Sequence, residues 1–164
     1  SAASDVYKRQ VFPSLNEKCG EAELISAVFD KETFVEVGIG APEVHCILGR
    51  IGGISVASVI FAGEGPVLLN EQNVAKILSF TEFASYYDLP FITFVNSAGV
   101  RPDLETNGSA VLKNIFKLFE TYDLLSNAKI SVVYKSAIGL GYTLFAAKSA
   151  GFDYVYASVS YTHL

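Results

Sequence analysis

The feature that most constrains the fold is the apolar run at residues 91–95, FITFV, which carries β-branched and aromatic side chains without polar alternation. An unbroken run of this kind is typical of a strand covered on both faces, as in a parallel sheet. Before it, apolar spacing predicts a helix from an Asn70 cap to about Asp88, ahead of Pro90. A second helical pattern follows, and then another apolar run at 130–134. This alternation predicts an α/β fold, with a mostly parallel sheet joined by right-handed crossovers.

A hairpin is predicted ahead of this alternation. Two apolar runs, 45–50 and 54–61, are separated by a turn containing Gly52 and Gly53, and both glycines tolerate positive φ. The remaining segments are a helix or extended lead-in at 21–29, a strand at 33–37, a loop at 96–108, a helix of about ten residues ending at Ala150, and a short strand near 153–156.

Composition narrows the class of protein. The chain has 164 residues, is 51% hydrophobic and 18% charged, and is therefore expected to form one globular domain or a large piece of one. A net charge of −5 argues against nucleic acid as a partner, and no apolar run is long enough to predict a membrane span. Two cysteines make no disulfide framework, so the cytoplasm is the expected compartment.

Both chain ends differ from the sequence between them. Residues 4–10 (SDVYKRQ) and 158–164 (SVSYTHL) fit none of the patterns above and look like translated sequencing-library ends. We therefore expect an irregular lead-in at 1–20 with a non-native start, a domain at 21–157 that is itself incomplete, and a non-native tail at 158–164. Ordinary chain ends remain the alternative.

A glycine turn follows the 130–134 run, where residues 135–144 read KSAIGLGYTL. A phosphate loop needs GxxxxGK[ST], but no lysine or hydroxyl follows these glycines in register. A dinucleotide fingerprint needs a third glycine where Leu144 stands, and a nucleophile elbow needs a serine between its glycines. Residue identity therefore excludes three common kinds of site.

A backbone site remains at this turn. N–H groups in the first turn of a helix lack intrahelical acceptors, and glycines let a ligand approach them closely. Such donors can stabilise an enolate or another oxyanion without an ionisable side chain. The alternative is that Gly139 and Gly141 merely permit tight packing of strand against helix, and the local residues leave both interpretations open.

Side chains offer little catalytic chemistry. His45, the one histidine away from the chain end, lies in a predicted strand next to Cys46, so the two side chains should point to opposite faces and share no metal. We expect a structural role for His45 and no metal site. The carboxylates on the predicted helices are expected to form solvated faces: Glu71, Glu82, Glu120 and Asp123.

A second glycine-containing segment follows the 91–95 strand at 96–102, NSAGVRP. Adjacent parallel strands would bring this segment and the 139–141 turn to the same carboxyl edge of the sheet. Open α/β sheets usually bind ligands at that edge. The functional interpretation of the turn gains support from this placement.

Residues from about 24 to 157 resemble the C-terminal half of the carboxyltransferase component of biotin-dependent acyl-CoA carboxylases, a module that also occurs in acyl-CoA decarboxylases. Four blocks in the same order carry the resemblance. They are VFDKETFVE at 28–36 (family "DxxxFxE"), LGRIGGISV at 48–56 ("GFARIGGRPVG"), YDLPFITFV at 87–95 ("FNIPLITFVD"), and KSAIGLGY at 135–142 followed by Lys148 ("RKAYGGAY…K").

The resemblance implies a ClpP/crotonase-like fold of repeated ββα units and transfer of carboxylate between carboxybiotin and an acyl-CoA. It also implies that catalysis depends on backbone oxyanion holes, and that this half of the enzyme contains the hole on the biotin side. Matched by position, Leu140 and Gly141 would supply the amides and Gly139 the close approach. Ala98, Gly99 and Val100 would form the facing biotin-binding segment together with Tyr142.

The resemblance further implies partners: the N-terminal carboxyltransferase half, a biotin carboxyl carrier protein, a biotin carboxylase and further copies in a homo-oligomer. Because family active sites lie between the two halves, the isolated chain is expected to be inactive. This chain has Gly139-Leu140-Gly141-Tyr142 where the family has Gly-Gly-Ala-Tyr, and Asn96-Ser97-Ala98-Gly99-Val100 where it often has Asp-Val-Pro-Gly-Phe. Leu140 in the turn keeps a non-catalytic crotonase-like scaffold, paired with an active partner, as one alternative. A subunit of a sodium-pumping acyl-CoA decarboxylase is the other, because the same motifs do not distinguish it.

Overall fold

The computed structural model describes residues 20–101 and 109–157. These residues form one seven-stranded sheet with helices packed on it. The strands are β1 Val35–Glu36, β2 Val44–Ile51, β3 Ile54–Phe61, β4 Val67–Leu69, β5 Phe91–Val100, β6 Lys129–Ala137 and β7 Tyr154–Ala157. The helices are α1 Glu21–Val28, α2 Glu71–Tyr86, α3 Ser109–Leu124 and α4 Leu140–Phe145, followed by a 3₁₀ turn at Lys148–Ala150.

The sheet has the mixed, mostly parallel topology expected from the sequence. Its order is β1-β2-β3-β5-β6-β7, with β1–β2 and β2–β3 antiparallel and the later neighbours parallel. The short strand β4 lies parallel to the carboxyl end of β5, beyond the point where β3 leaves it. The carboxyl ends of β3, β5 and β6 therefore lie along one edge of the sheet.

The predicted hairpin is confirmed. β2 and β3 pair over their whole length, and the turn residues Gly52 and Gly53 have φ of 58° and 82°. The Asp30 carboxylate closes this turn, because its two oxygens accept the N–H groups of Gly52 at 2.9 Å and Gly53 at 2.7 Å. Asp30 belongs to the first resembling block and the two glycines to the second, so a long-range hydrogen-bond pair joins the two motifs.

The Asn70 cap is also confirmed. Its side chain accepts the N–H of Asn73, and the Asn73 side chain accepts the N–H of Asn70, which closes a reciprocal capping box. The helix ends at Tyr86, and Asp88 has a φ of 50°, ahead of Leu89-Pro90. The predicted helix end was therefore right to within two residues.

β5 is buried on both faces, as predicted. Phe91 and Val95 pack into the larger core against α2, α3 and α4, whereas Ile92 and Phe94 pack into a smaller core that α1 helps to cover. The strand therefore separates the two cores, and its position determines that of both its neighbours.

Several predicted boundaries were wrong. β5 runs to Val100, so residues 96–100 are strand where a loop was expected, and the rest of that loop at 102–108 lies outside the described residues. The polar side chains of Asn96 and Ser97 stay in the strand because distant main-chain carbonyls accept their hydrogen bonds. The three-residue strand β4 was not predicted.

The last helix is shorter than predicted, and so is the first strand. The segment expected to be one helix ending at Ala150 is α4 and a separate 3₁₀ turn. The Phe145 carbonyl at the end of α4 accepts the buried Thr93 hydroxyl at 3.0 Å, which provides a partner at the point where the helix stops. At the other end of the sheet, only Val35 and Glu36 of the 33–37 segment pair as strand.

No helix within 20–101 or 109–157 combines the length and hydropathy that crossing a bilayer requires.

The Asp30 contact generates a stability prediction. Asp30→Ala removes both acceptors at the hairpin turn, and we expect a loss of about 1 kcal/mol in the free energy of unfolding, measured by urea titration. The exposed carboxylate Glu82 on α2 provides a matched control, since Glu82→Ala should change stability by less than about 0.5 kcal/mol. Equal effects of the two substitutions would contradict the bridging role of Asp30.

Candidate active site at the carboxyl edge of the sheet

The glycine turn lies immediately beyond the end of β6. The Ile138 N–H donates to the Ser97 carbonyl of β5 at 2.9 Å, and the chain then reverses at Gly139 to begin α4 at Leu140. Gly139 has φ 57° and ψ −132°, a conformation open essentially to glycine alone. The backbone therefore requires glycine at this position whether or not a ligand binds.

Gly141 is required for a different reason, which is close packing. It is buried, and a Cβ atom there would lie 2.6 Å from the Ser97 Oγ and 2.8 Å from the Ser97 Cβ. The Gly141 N–H also donates to the Ile138 carbonyl at 3.1 Å. The expectation of two consecutive free amides was therefore wrong for Gly141, because its N–H already has an acceptor within the turn.

Leu140 provides the free donor. Its N–H has no acceptor among the described residues, as expected for the first residue of a helix. The Leu140 side chain is half-buried and packs against the larger core. The bulky side chain that distinguishes this turn from the Gly-Gly-Ala-Tyr pattern is thus accommodated by the core, while the amide has no partner among the described residues.

The segment expected to face this turn does lie beside it. Gly99 has a φ of 102°, and a Cβ atom there would be 3.8 Å from both the Ile138 carbonyl oxygen and the Leu140 amide nitrogen. The structure thus brings Gly99 and the turn together at the carboxyl edge. The segment is the end of a strand, however, and not the loop that we expected.

The other expected site residues differ in their exposure. Val100 is 6% exposed and packs in the larger core, so its side chain is not available to a ligand. Ala98 is half-buried, and Tyr142 is 50% exposed on the outer side of α4. Ile138, which the sequence reasoning missed, is 59% exposed and, with Tyr142, provides exposed apolar surface on either side of Gly139. The position of Ile138 directly before Gly139 is the sequence signal that could have identified it as a neighbour of the turn.

His45 and Cys46 lie on opposite faces of β2, as predicted. The His45 Nδ1 is 2.8 Å from the Glu36 Oε1, so the ring links β2 to β1. Cys46 is fully buried in the larger core, and burial raises the pKa of its thiol to about 12. Neither side chain contacts the glycine turn. The four carboxylates assigned to solvated faces, Glu71, Glu82, Glu120 and Asp123, are all exposed on their helices.

A groove of about 600 Å³ lies elsewhere, between residues 37–41 and the outer face of α2. Its polar groups include the ammonium of Lys76, whose Nζ donates to the carbonyls of Gly40 at 2.9 Å and Val44 at 2.7 Å. None of its lining residues belongs to the glycine turn or to the 98–100 segment, so the groove and the turn are separate features.

Comparison with known proteins identifies the family of this arrangement. Residues 2–161 match the Carboxyl transferase domain family, which is nearly the whole chain. The chain belongs to this family. The resemblance found in the sequence is thereby confirmed, although the match itself assigns no role to any residue of the turn.

Individual relatives of this carboxyl transferase domain are named as a carboxylase chain and a carboxyltransferase subunit. The propionyl-CoA carboxylase beta chain of Saccharopolyspora erythraea is 27% identical over 144 residues, covering 85% of this chain and 26% of the relative. The methylmalonyl-CoA carboxyltransferase 12S subunit of Propionibacterium freudenreichii is 25% identical over 139 residues, covering 82% and 26%. The domain described here thus spans about a quarter of the length of these relatives.

Solved structures confirm the fold class. The transcarboxylase 12S structure, described as a hexamer assembly, aligns with a TM-score of 0.75 and 24% identity over 90% of this chain and 29% of its own. The geranyl-CoA carboxylase beta subunit of P. aeruginosa aligns with a TM-score of 0.70 and 18% identity, over 87% and 27%. The carboxyl transferase domain therefore has the crotonase-like α/β fold that the sequence led us to expect.

The contact between Gly141 and Ser97 can be tested by stability. Gly141→Ala forces a methyl group into the Ser97 side chain, and we expect a loss of about 1–3 kcal/mol in the free energy of unfolding. Gly65→Ala is a suitable control, because no atom lies within 4 Å of a Cβ at Gly65 and its φ is not positive. Equal stability of the two variants would contradict the contact.

The raised pKa of Cys46 predicts low reactivity. The substitution Cys19→Ser leaves Cys46 as the one cysteine of the chain. The folded domain of this variant should react with a disulfide reagent at about pH 8 far more slowly than the same chain in urea. In the folded domain the Cys46 thiol keeps its proton at pH values well above its ordinary pKa of 9.0, whereas in the unfolded chain it does not. Thiol release followed by absorbance measures both rates, and equal rates would contradict the burial of Cys46.

Proposed function

We propose that this chain is the biotin-side half of an acyl-CoA carboxyltransferase, which moves carboxylate between carboxybiotin and an acyl-CoA. The observation that carries the proposal is the family match over residues 2–161. Relatives named as a propionyl-CoA carboxylase beta chain and as a methylmalonyl-CoA carboxyltransferase subunit support the acyl-CoA class of substrate.

The unpaired amide of Leu140 fits the ligand that this reaction requires. A ureido oxygen is a hydrogen-bond acceptor, the Leu140 N–H donates to no acceptor among the described residues, and the adjacent Gly139 has no side chain. When bound, carboxybiotin would supply the carboxyl group, and the Leu140 N–H would donate a hydrogen bond to its ureido oxygen. A donor already fixed in position stabilises developing charge without reorganisation.

The other turn residues have supporting roles in this proposal. The Gly141 N–H donates to the Ile138 carbonyl at 3.1 Å, and this hydrogen bond holds the turn in shape. The same N–H would bind an oxyanion only as a donor shared with that carbonyl. Gly99 keeps the approach to the Leu140 amide open, because a side chain there would point at that nitrogen. In this proposal Ala98 and Tyr142 would contact the biotin rings, while Val100 would act through its backbone.

The proposal includes partners that this chain does not contain. An N-terminal carboxyltransferase half would hold the acyl-CoA, a biotin carboxyl carrier protein would bring the carboxybiotin, and a biotin carboxylase would load it. We further propose a homo-oligomer in the cytoplasm and no turnover by the isolated chain. The hexamer assembly described for the transcarboxylase 12S neighbour supports an oligomer.

A second candidate is a subunit of an acyl-CoA decarboxylase. The methylmalonyl-CoA decarboxylase subunit alpha of Veillonella parvula is 25% identical over 139 residues, nearly the same as the transferase relatives. The third candidate, a non-catalytic scaffold, is favoured by Leu140 in place of glycine. The half-buried position of the Leu140 side chain weakens that candidate, because the side chain packs against the larger core.

One experiment separates the three candidates. The complete subunit is assayed with free biotin for decarboxylation of malonyl-CoA and methylmalonyl-CoA, and with a loaded carrier for carboxylation of acetyl-CoA and propionyl-CoA. Turnover in both directions supports the transferase, and decarboxylation that requires a membrane partner and sodium supports the decarboxylase. The absence of both turnover and biotin binding supports the scaffold and overturns the proposal.

A substitution at Leu140 tests the proposed donor directly. Leu140→Pro removes the N–H, and proline suits the first position of a helix, which Leu140 occupies in α4. We expect carboxyl transfer by the complete subunit to fall by about a hundredfold or more. Circular dichroism should remain close to that of the unmodified protein, and thermal unfolding should show a modest loss of stability like that of Leu140→Ala, because both substitutions remove the packed side chain.

Leu140→Ala is the matched control, since it removes the side chain and keeps the N–H. It should retain most of the activity, with a modest loss of stability from the lost core packing. If Leu140→Ala and Leu140→Pro lower transfer equally, the side chain matters and the backbone donor does not.

A further inference from the structure

The pairing of β5 with β6 is interrupted just before the glycine turn. Val95 is paired with Val133 and Ser97 with Ala137, so β5 advances by two residues while β6 advances by four. The residues between these pairs, Tyr134 to Ser136, form a bulge in β6 opposite Asn96. Bulges bend a strand and redirect the residues that follow it.

The side chains of the bulge all reach β5 or the end of β3. The Tyr134 hydroxyl donates to the Phe61 carbonyl. The Lys135 Nζ donates to the Gly63 carbonyl at 2.9 Å, and the Ser136 Oγ donates to the Asn96 Oδ1 at 3.1 Å. The bulge is therefore bonded on each of its three residues to groups outside β6.

Asn96 is the centre of this network. It is 1% exposed, its Nδ2 donates to the Gly65 carbonyl at 3.0 Å and is 3.5 Å from the Gly63 carbonyl, and its Oδ1 accepts from Ser136. Both ends of the amide are thus engaged in a buried setting. An aspartate of the same shape has no donor for two main-chain carbonyls, so only the amide fits this set of partners.

The bulge determines where the glycine turn lies. Because β6 contains two extra residues, Ala137 pairs with Ser97 and the Ile138 N–H reaches the Ser97 carbonyl at 2.9 Å. If β6 paired with β5 regularly through this segment, Lys135 would face Ser97, and the turn would stand about 6.6 Å further beyond the sheet edge. The Leu140 amide would then no longer lie beside Gly99.

We infer that Asn96 is a positioning residue for the glycine turn. Its buried amide holds the bulge of β6 and so determines the position of the Leu140 N–H relative to Gly99. Its effect on catalysis rests on the proposed carboxyltransferase function, whereas its effect on the turn does not. Asn96 also bonds to residues 63–65, so its side chain connects the segment between β3 and β4 with β6.

Hydrogen exchange of the complete subunit, read by mass spectrometry on peptides that contain Ile138, tests the effect on the turn. In Asn96→Ala and Asn96→Asp, exchange at Ile138 should accelerate by about tenfold relative to a reference peptide in the β2–β3 hairpin. Ser136→Ala, a smaller change that removes one bond to Asn96, should act in the same direction by a smaller factor.

Asn73→Ala is the matched control. Asn73 is fully buried and its Nδ2 also donates to a main-chain carbonyl, that of Leu68 at 3.1 Å, but it lies at the start of α2. We expect no selective change at Ile138 in this variant. Unchanged exchange at Ile138 in the Asn96 variants, or the same acceleration in Asn73→Ala, would overturn the inference.

Kinetics provide the second readout. If the complete enzyme transfers carboxylate, Asn96→Ala should lower kcat/KM for the biotin donor by about a hundredfold and leave KM for the acyl-CoA unchanged. Loss of activity equally through both substrates would overturn a positioning role on the biotin side. If the unmodified enzyme has no transfer activity, the proposed function fails, and the exchange result still decides whether Asn96 positions the turn.

Discussion

The contact between Ser97 and Gly141 is the constraint on which the carboxyl edge depends. The Ser97 hydroxyl donates to the Val67 carbonyl of β4, its carbonyl accepts from Ile138, and its side chain occupies the space that a side chain at 141 would need. One buried residue in β5 therefore fixes β4, the end of β6 and the start of α4. With α4 further from the sheet, the hydrogen bond from Thr93 to the Phe145 carbonyl would also be lost.

The sequence predicted the parts of the fold that local chemistry determines. The Gly52-Gly53 hairpin, the Asn70 cap and the doubly buried strand at 91–95 all follow from short-range patterns, and each is present. The continuation of β5 to Val100 could not be read in this way. Asn96 and Ser97 have polar side chains typical of a loop, and the carbonyls that satisfy them belong to residues about 30 positions earlier in the chain.

The candidate site was predictable in its position but not in its hydrogen bonding. Strand order was enough to bring Gly99 and the glycine turn to one edge. The two glycines of the turn look alike in the sequence, yet Gly139 is required by its backbone conformation and Gly141 by the space beside Ser97. The bulge at Tyr134 to Ser136 was beyond sequence reasoning, because it is defined by pairing with β5 and by acceptors near Gly63 and Gly65. Side-chain identity alone therefore shows which residues are near the site, and the register between strands decides which amide is free.

The two departures from the Gly-Gly-Ala-Tyr pattern are physically linked. At position 141, where that pattern has alanine, glycine lets α4 approach Ser97 more closely than a methyl group allows. At position 140, where the pattern has glycine, leucine adds a side chain that packs on the core beneath the helix. One change removes volume between helix and sheet, and the other adds apolar contact as the helix draws near. Neither change removes a backbone N–H. A site built from backbone donors can therefore accept both, whereas a site built from side chains could not exchange residues of such different size.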